Sequence, residues 1–146
     1  MIGGDKPPQE LGRYTGFLLN WIGARSRARF LEALSEVDLH PRDFAVLNII
    51  ASHPGVTQHE IGAETDIDPS TMVALLDGLE KRGLAERRAH PDDRRKRAVH
   101  LTGKGETTLV RGREIAGAVG EQTFERLTAA ERKQLNALLR KTAGLD

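Results

Sequence analysis

The side chains with the most chemistry in this chain sit in one run, HPDDRRKR at residues 90–97. Four successive cations, Arg94, Arg95, Lys96 and Arg97, follow the carboxylate pair Asp92-Asp93. Guanidinium and ammonium groups at this density bind a polyanion. An isolated charge run is usually a solvated surface. This one falls in a turn between two strand-like stretches, directly after a helix-turn-helix pattern, and that context favours nucleic acid. Other chemistry finds little support. Asp92 and Asp93 stand beside four basic residues and suit bracing of the turn better than proton transfer. Ser52 and Ser70 have no placed base, and no glycine-rich phosphate loop occurs. The five histidines (His40, His53, His59, His90 and His100) include no pair at helical i, i+4 spacing. With no cysteine, the chain lacks disulfides, thiolate metal sites and thiol redox sensing. The reading is of no catalytic residue, no metal and no cofactor.

The charge is unevenly spread. The total over 146 residues is only +1. Residues 43–80 contain seven Asp/Glu and no Lys/Arg, whereas residues 81–104 contain nine Lys/Arg and three Asp/Glu. A neutral total thus hides a dense basic patch beside an acidic stretch. The length and the 38% hydrophobic content suit one compact domain, or one with dimerising extensions. No apolar run approaches the roughly 18 residues that span a bilayer, and the N-terminal MIGGDKPPQE has no apolar core of a secretory signal. A soluble cytoplasmic protein without membrane contact is expected.

The elements that must position the basic run follow from periodicity and caps. Residues 1–8 read as a flexible tail. From Gln9 to about Ser35, Leu11, Tyr14, Leu18 and Ile22 recur at helical steps beside Phe17, Trp21, Ala24, Ala28 and Leu31. That predicts a helix of about 26 residues, roughly 39 Å long. It is too long for so small a domain to cover, so part of its face is expected to meet a second chain. Pro41 opens a buried helix carrying Phe44, Val46, Leu47, Ile49 and Ile50. Thr57 and Glu60 form a capping box for a short helix around Ile61. Asp68 and Pro69 suit the N-cap and first position of the next helix. There Met72, Leu75, Leu76 and Leu79 face inward, and Gly83 ends the helix. Its other face, with Pro69, Ser70, Val73, Ala74 and Asp77, is small enough to approach base edges. Leu84–Ala89 and Ala98–Leu101 read as the two strands of a hairpin. Thr102 caps a further helix, in which Gly112, Gly117 and Gly120 predict a kink or a close helix contact. Thr128 and Glu131 cap a last helix with Leu135, Leu138 and Leu139. The order is α-α-α-α-β-β-α-α. The fold class is mainly α with a small β-hairpin (α+β), a winged helix-turn-helix over residues 38–102. Such a module puts one helix in the major groove and its hairpin along the DNA backbone or minor groove. Residues 9–37 and 103–146 form N- and C-terminal dimerisation helices.

The sequence resembles the MarR family of bacterial transcription regulators over nearly its whole length. The most specific match is Asp93-Arg94-Arg95 followed by Val99, Leu101 and Thr102, which fits the family's Asp-x-Arg wing signature. Leu79-Glu80-Lys81-Arg82-Gly83-Leu84, leading into the wing, matches too. The resemblance implies a homodimer that places two winged modules on a pseudo-palindromic operator in double-stranded DNA. It implies the 68–77 helix in the major groove, Arg95 in the minor groove and Asp93 bracing the wing. A planar guanidinium suits the negative potential of a narrow minor groove, while Arg94, Lys96 and Arg97 suit phosphates and make binding salt-dependent. One departure matters. Relatives often carry a basic residue near positions 69 and 74, where this chain has Pro69 and Ala74. Base reading would then fall to the Ser70 and Thr71 hydroxyls and to Val73 or Ala74 against thymine methyls, favouring half-sites that contain A·T pairs.

Relatives often bind small aromatic or phenolic molecules and then release DNA. Tyr14, Phe17, Trp21, His40, Arg42 and Phe44 could line such a pocket. Each aromatic fits a core or dimer-interface role equally well. The expected function is a homodimeric repressor released by a small aromatic effector. The alternatives are a winged-helix protein-interaction module and a non-specific architectural DNA-binding protein.

Overall fold

A computed structural model describes residues 6–145; most of the predicted tail, residues 1–5, lies outside them. The elements are a short 3-10 helix Gln9–Leu11, α1 Thr15–Ser35, α2 Pro41–Ser52, β1 Val56–Thr57, α3 Gln58–Glu64, α4 Pro69–Lys81, β2 Ala85–Ala89, β3 Arg97–Leu101, α5 Gly103–Thr123 and α6 Ala129–Thr142. Two compact units emerge, one of residues 30–115 and one joining residues up to 29 with those from 116 onward.

In the 30–115 unit, β1, β3 and β2 form an antiparallel sheet in that order. Val56 pairs with Val99 on one edge of β3, and Arg87 pairs with Val99 on the other. As the central strand, β3 is paired along both edges, and neighbouring Ala98 and Val99 are both buried. Val46, Leu47 and Ile50 of α2 meet Ile61 of α3 and Met72, Leu76 and Leu79 of α4 in one core. The helix starts are made locally. Thr57 Oγ1 accepts from the Glu60 amide at 3.2 Å while Glu60 Oε2 accepts from the Thr57 amide at 2.7 Å. These bonds hold the Glu60 carboxyl below its ordinary value of 4.5. Asp68 caps α4 with Pro69 at its first position, and Gly83, at φ +70°, follows the α4 cap residue Arg82.

The structure departs from the sequence reading in four places. The first helix begins at Thr15, after a separate 3-10 turn, so it has 21 residues rather than about 26. Leu11 and Tyr14 accordingly fall off the apolar stripe and are exposed. The sheet has a third strand, β1; its two residues are too few to show alternation, and Thr57 doubles as a helix cap. Strand β3 starts at Arg97, one residue earlier than expected, and β2 starts at Ala85 rather than Leu84. The winged unit extends from residue 30 to residue 115 rather than from 38 to 102, because Leu34 and Leu109 are both buried in its core. Glycine explains the last point. Gly105 lies so close to the Leu84 carbonyl that any Cβ would overlap it, and a Cβ at Gly112 would sit 2.9 Å from the Phe44 ring. The close contact expected near the three α5 glycines thus occurs at Gly112, while Gly117 and Gly120 have open space.

In the other unit, Thr123 Oγ1 donates to the Val119 carbonyl at 2.8 Å and lies 3.4 Å from Ser26 Oγ. Thr128 and Glu131 form the capping box of α6. Arg132 Nε donates to the Phe124 and Leu127 carbonyls, both at 3.1 Å, and fixes the turn between α5 and α6. Among the described residues no helix is long and apolar enough to cross a membrane.

Candidate nucleic-acid interface

The interface begins at Asp68. Its carboxylate accepts from the Ser70 hydroxyl at 2.7 Å, the Thr71 hydroxyl at 2.6 Å and the Thr71 amide at 2.9 Å. Those donors, the Thr71 hydroxyl foremost, hold the Asp68 carboxyl far below its ordinary value of 3.8. Both hydroxyl protons are thereby committed inward, and the oxygens keep only acceptor capacity toward solvent. Pro69, Ser70, Val73, Ala74 and Asp77 are exposed along one side of α4, and Thr71 is half-buried. Val73, at 41% exposure, is the largest apolar group on this face.

Asp77 is not a free carboxylate. It accepts from Arg87 Nη2, and Glu80 takes the rest of the same guanidinium, with Nε at 3.0 Å and Nη2 at 2.7 Å. Glu80 also accepts from the Arg87 amide at 2.8 Å. The Arg87 guanidinium lowers the Glu80 pKa, and Glu80 and Asp77 together raise that of Arg87. One β2 side chain thus ties the last two turns of α4 to the wing. Arg82 does a similar task at the end of α4. It donates to Asp43 Oδ2 of α2 at 3.0 Å and to the Asp38 carbonyl.

The wing turn is fixed by backbone and small side chains. His90 donates to the Lys96 carbonyl and Lys96 to the Asp93 carbonyl, both at 3.0 Å. The Arg95 amide donates to Asp93 Oδ1 at 3.0 Å. Asp93 therefore bonds the Arg95 backbone. Among the described residues no ion pair joins it to the Arg95 guanidinium, and none involves Arg94 or Lys96. These three side chains are exposed cations. Arg97 differs, since it starts β3 and lines a small cavity with Glu80 and Arg87, where its charge helps lower the Glu80 pKa. Arg87 escaped the sequence reading, and Glu80 and Arg82 entered it only as part of the family match, without these bonds. The available signal was the pair of acidic residues three apart on α4, followed by an arginine on the next strand.

The six effector-pocket residues do not share one environment. Tyr14, Phe17 and Trp21 belong to one unit and His40, Arg42 and Phe44 to the other. Phe44 is core material, its ring set edge-on to Phe30 at 5.3 Å between centroids. His40 is the N-cap of α2, and its Nδ1 accepts from the Arg42 amide at 3.2 Å. His40 also borders a cavity of about 550 Å³ with Arg82 and Asp43. Trp21 borders another, of about 480 Å³, in its own unit. Among the described residues no group of three His, Cys, Asp or Glu could hold a metal ion.

A sheet-bordered hairpin with a cationic tip beside a capped, small-faced helix defines a winged helix-turn-helix module. Residues 37–96 match the MarR family. The chain is 34% identical over 104 residues to the transcriptional regulator HosA of Escherichia coli O111:H-, covering 71% of this chain and 77% of that protein. It is 33% identical over 101 residues to a Thauera aromatica protein described as a putative transcriptional regulatory protein for the hcr operon, covering 69% of this chain but only 61% of that one. The transcriptional repressor CouR bound to a 23-mer DNA duplex superposes with a TM-score of 0.83 at 33% identity, over 96% of this chain and 99% of that one. CouR from Rhodococcus jostii RHA1 bound to p-coumaroyl-CoA gives 0.77 at 30% identity, over 93% and 96%. The chain belongs to the MarR family, whose members are transcriptional regulators and not enzymes.

Proposed function

We propose that this regulator is a homodimeric repressor that binds a pseudo-palindromic operator and releases it on binding a small aromatic effector. In this reading α4 enters the major groove and the wing lies along the adjacent backbone, with Arg95 in the minor groove and Arg94 and Lys96 on phosphates. The observation that carries it is the set of three exposed wing cations that form no ion pair among the described residues, held by a turn fixed at Asp93. Phosphate contacts position the module and base contacts specify it. The acceptor-only oxygens of Ser70 and Thr71 suit exocyclic amino groups such as adenine N6, and Val73 and Ala74 suit thymine methyls. Arg97 serves the wing through Glu80 and Arg87 as much as it serves DNA. The bound states named for CouR, one with DNA and one with p-coumaroyl-CoA, support the two-state reading.

Selection from a random oligonucleotide pool tests it. An enriched inverted repeat with A·T-containing half-sites is expected, with affinity falling steeply as salt rises. Salt-sensitive binding without enrichment would instead indicate an architectural protein, and no DNA binding at all a protein-interaction module.

A further inference from the structure

We propose that His90 is a positioning residue for the wing and works only while its imidazole is neutral, so that acid erodes preference for the operator. The wing tip rests on a chain of bonds. The His90 amide donates to the Lys96 carbonyl and the Lys96 amide to the Asp93 carbonyl, both at 3.0 Å. The Arg95 amide donates to Asp93 Oδ1 at 3.0 Å, and the Asp92 amide donates to His90 Nδ1 at 3.1 Å. The last two have the same form, a side chain accepting from the amide two residues on. They run in series. His90 fixes Asp92, the adjoining Asp93 fixes Arg95, and the cations from Arg94 to Lys96 hang from that frame.

Proline explains why the imidazole is used. Pro91 has no N–H, so the first amide after His90 is that of Asp92. His40-Pro41-Arg42 repeats the arrangement, with the Arg42 amide on His40 Nδ1 at 3.2 Å. His53-Pro54-Gly55 does not, because the Gly55 amide donates instead to the Val99 carbonyl of β3 at 3.0 Å. In these three turns the ring is used where no strand takes the next amide.

The consequence lies in the proton. Nδ1 accepts only through a free lone pair, so the bonded ring is neutral with its proton on Nε2. An imidazolium has two donors and no acceptor, and the Asp92 amide then loses its partner. Histidine changes charge between about pH 5 and 8. The charged groups around half-buried His90 are Asp92 and Asp93 in the turn, the cationic run 94–97, and Glu60 of α3, on which Lys96 and His90 act after the Thr57 bonds. A loosened turn keeps its cations, and the imidazolium adds one. Attraction to any phosphate backbone therefore survives acid, whereas the placement of Arg95 does not. The operator's advantage over random DNA falls as His90 takes up its proton. This consequence rests on the operator reading; the turn itself does not.

Long-range proton–nitrogen NMR spectra of the full chain without DNA test the turn. At about pH 8 His90 is expected bare at Nδ1 and protonated at Nε2, and the Asp92 amide shift should move in step with the His90 titration. The opposite tautomer, or an Asp92 amide indifferent to that titration, would overturn the proposal. Fluorescence anisotropy tests the consequence, with the duplex enriched from the random pool set against a shuffled duplex of equal composition. From about pH 8 to about pH 6 the parent chain's preference should fall roughly fivefold, as for loss of one neutral hydrogen bond. His90→Asn keeps an acceptor that reaches the amide two residues on and does not titrate. It should hold the high preference at both pH values, and His90→Ala the low one. A fall in His90→Asn equal to that of the parent, or a high preference in His90→Ala, would equally sink the idea. Should the parent prefer neither duplex at any pH, the operator reading falls and the amide titration alone decides the turn.

Discussion

Helix α4 and the β2–β3 wing are neighbours with opposite electrostatic habits. The hydroxyls and carboxylates along α4 are already engaged within the protein. Ser70 and Thr71 donate to Asp68, and Asp77 and Glu80 share Arg87. At the wing tip the order is reversed, with the backbone bonded and the three cationic side chains exposed. The helix therefore contributes shape and a few acceptors, whereas the wing contributes charge. In the proposed complex, an acidic helix would sit against a polyanion because its carboxylates are neutralised by the strand beside it.

Four single substitutions, a second change added to one of them, and an acid titration of a further variant press on that contrast, from the largest expected effect downward. Gly105→Ala should damage both regions together, because a Cβ there collides with the Leu84 backbone at the junction of α4 and β2. Overpacking against backbone should destabilise the fold by about 3 kcal/mol, read from urea denaturation; an unchanged midpoint would show that α5 can shift. Arg95→Ala should weaken operator binding roughly 100-fold, about 2.7 kcal/mol, and reduce the salt slope by about one, with the dimer intact. If the loss were equal for operator and random DNA, Arg95 would be a phosphate contact rather than a groove reader.

Arg87→Ala removes both ion pairs from α4. Since these groups are only partly buried, about 1–2 kcal/mol of stability should go, along with roughly tenfold in DNA affinity as two carboxylates are uncovered. Adding Asp77→Asn should recover part of the affinity; if it recovers none, Arg87 acts by geometry and not by charge. Ser70→Ala should cost about 1 kcal/mol or less and relax preference at one base position, which competitive selection would reveal.

The smallest effect concerns acid. The Asp68 carboxyl is depressed by the Thr71 and Ser70 donors. Its contribution to stability is therefore fully present above the ordinary value of 3.8 and is lost only as pH falls below it toward the folded value. Acid unfolding of Asp68→Asn should accordingly be shallower below pH 3.8 than that of the parent chain.

Much of the winged unit was legible in the residues themselves. The caps at Thr57, Asp68 and Thr128 and the terminator Gly83 are local signals, because a cap bonds an amide two or three residues away. The cationic wing was equally plain, as it needs no partner to be seen. The two-residue strand β1 was not legible, since its pairing with β3 spans more than forty residues of chain. Nor was the neutralisation of Asp77 and Glu80 by Arg87, without which the helix reads as more acidic than it is.

By itself the sequence determined the order of elements, the small side of α4, the family and the cationic hairpin, because caps, periodicity and charge runs act over a few residues. Only the tertiary structure decided where those charges go. It assigned Arg87 to the helix, left Arg94, Arg95 and Lys96 outward, drew residues 30–37 and 103–115 into the winged core, and brought Trp21 and Arg29 opposite a turn about a hundred residues away. Pairing and enclosure depend on which surfaces pack together, and that is a property of the folded chain rather than of any stretch of it.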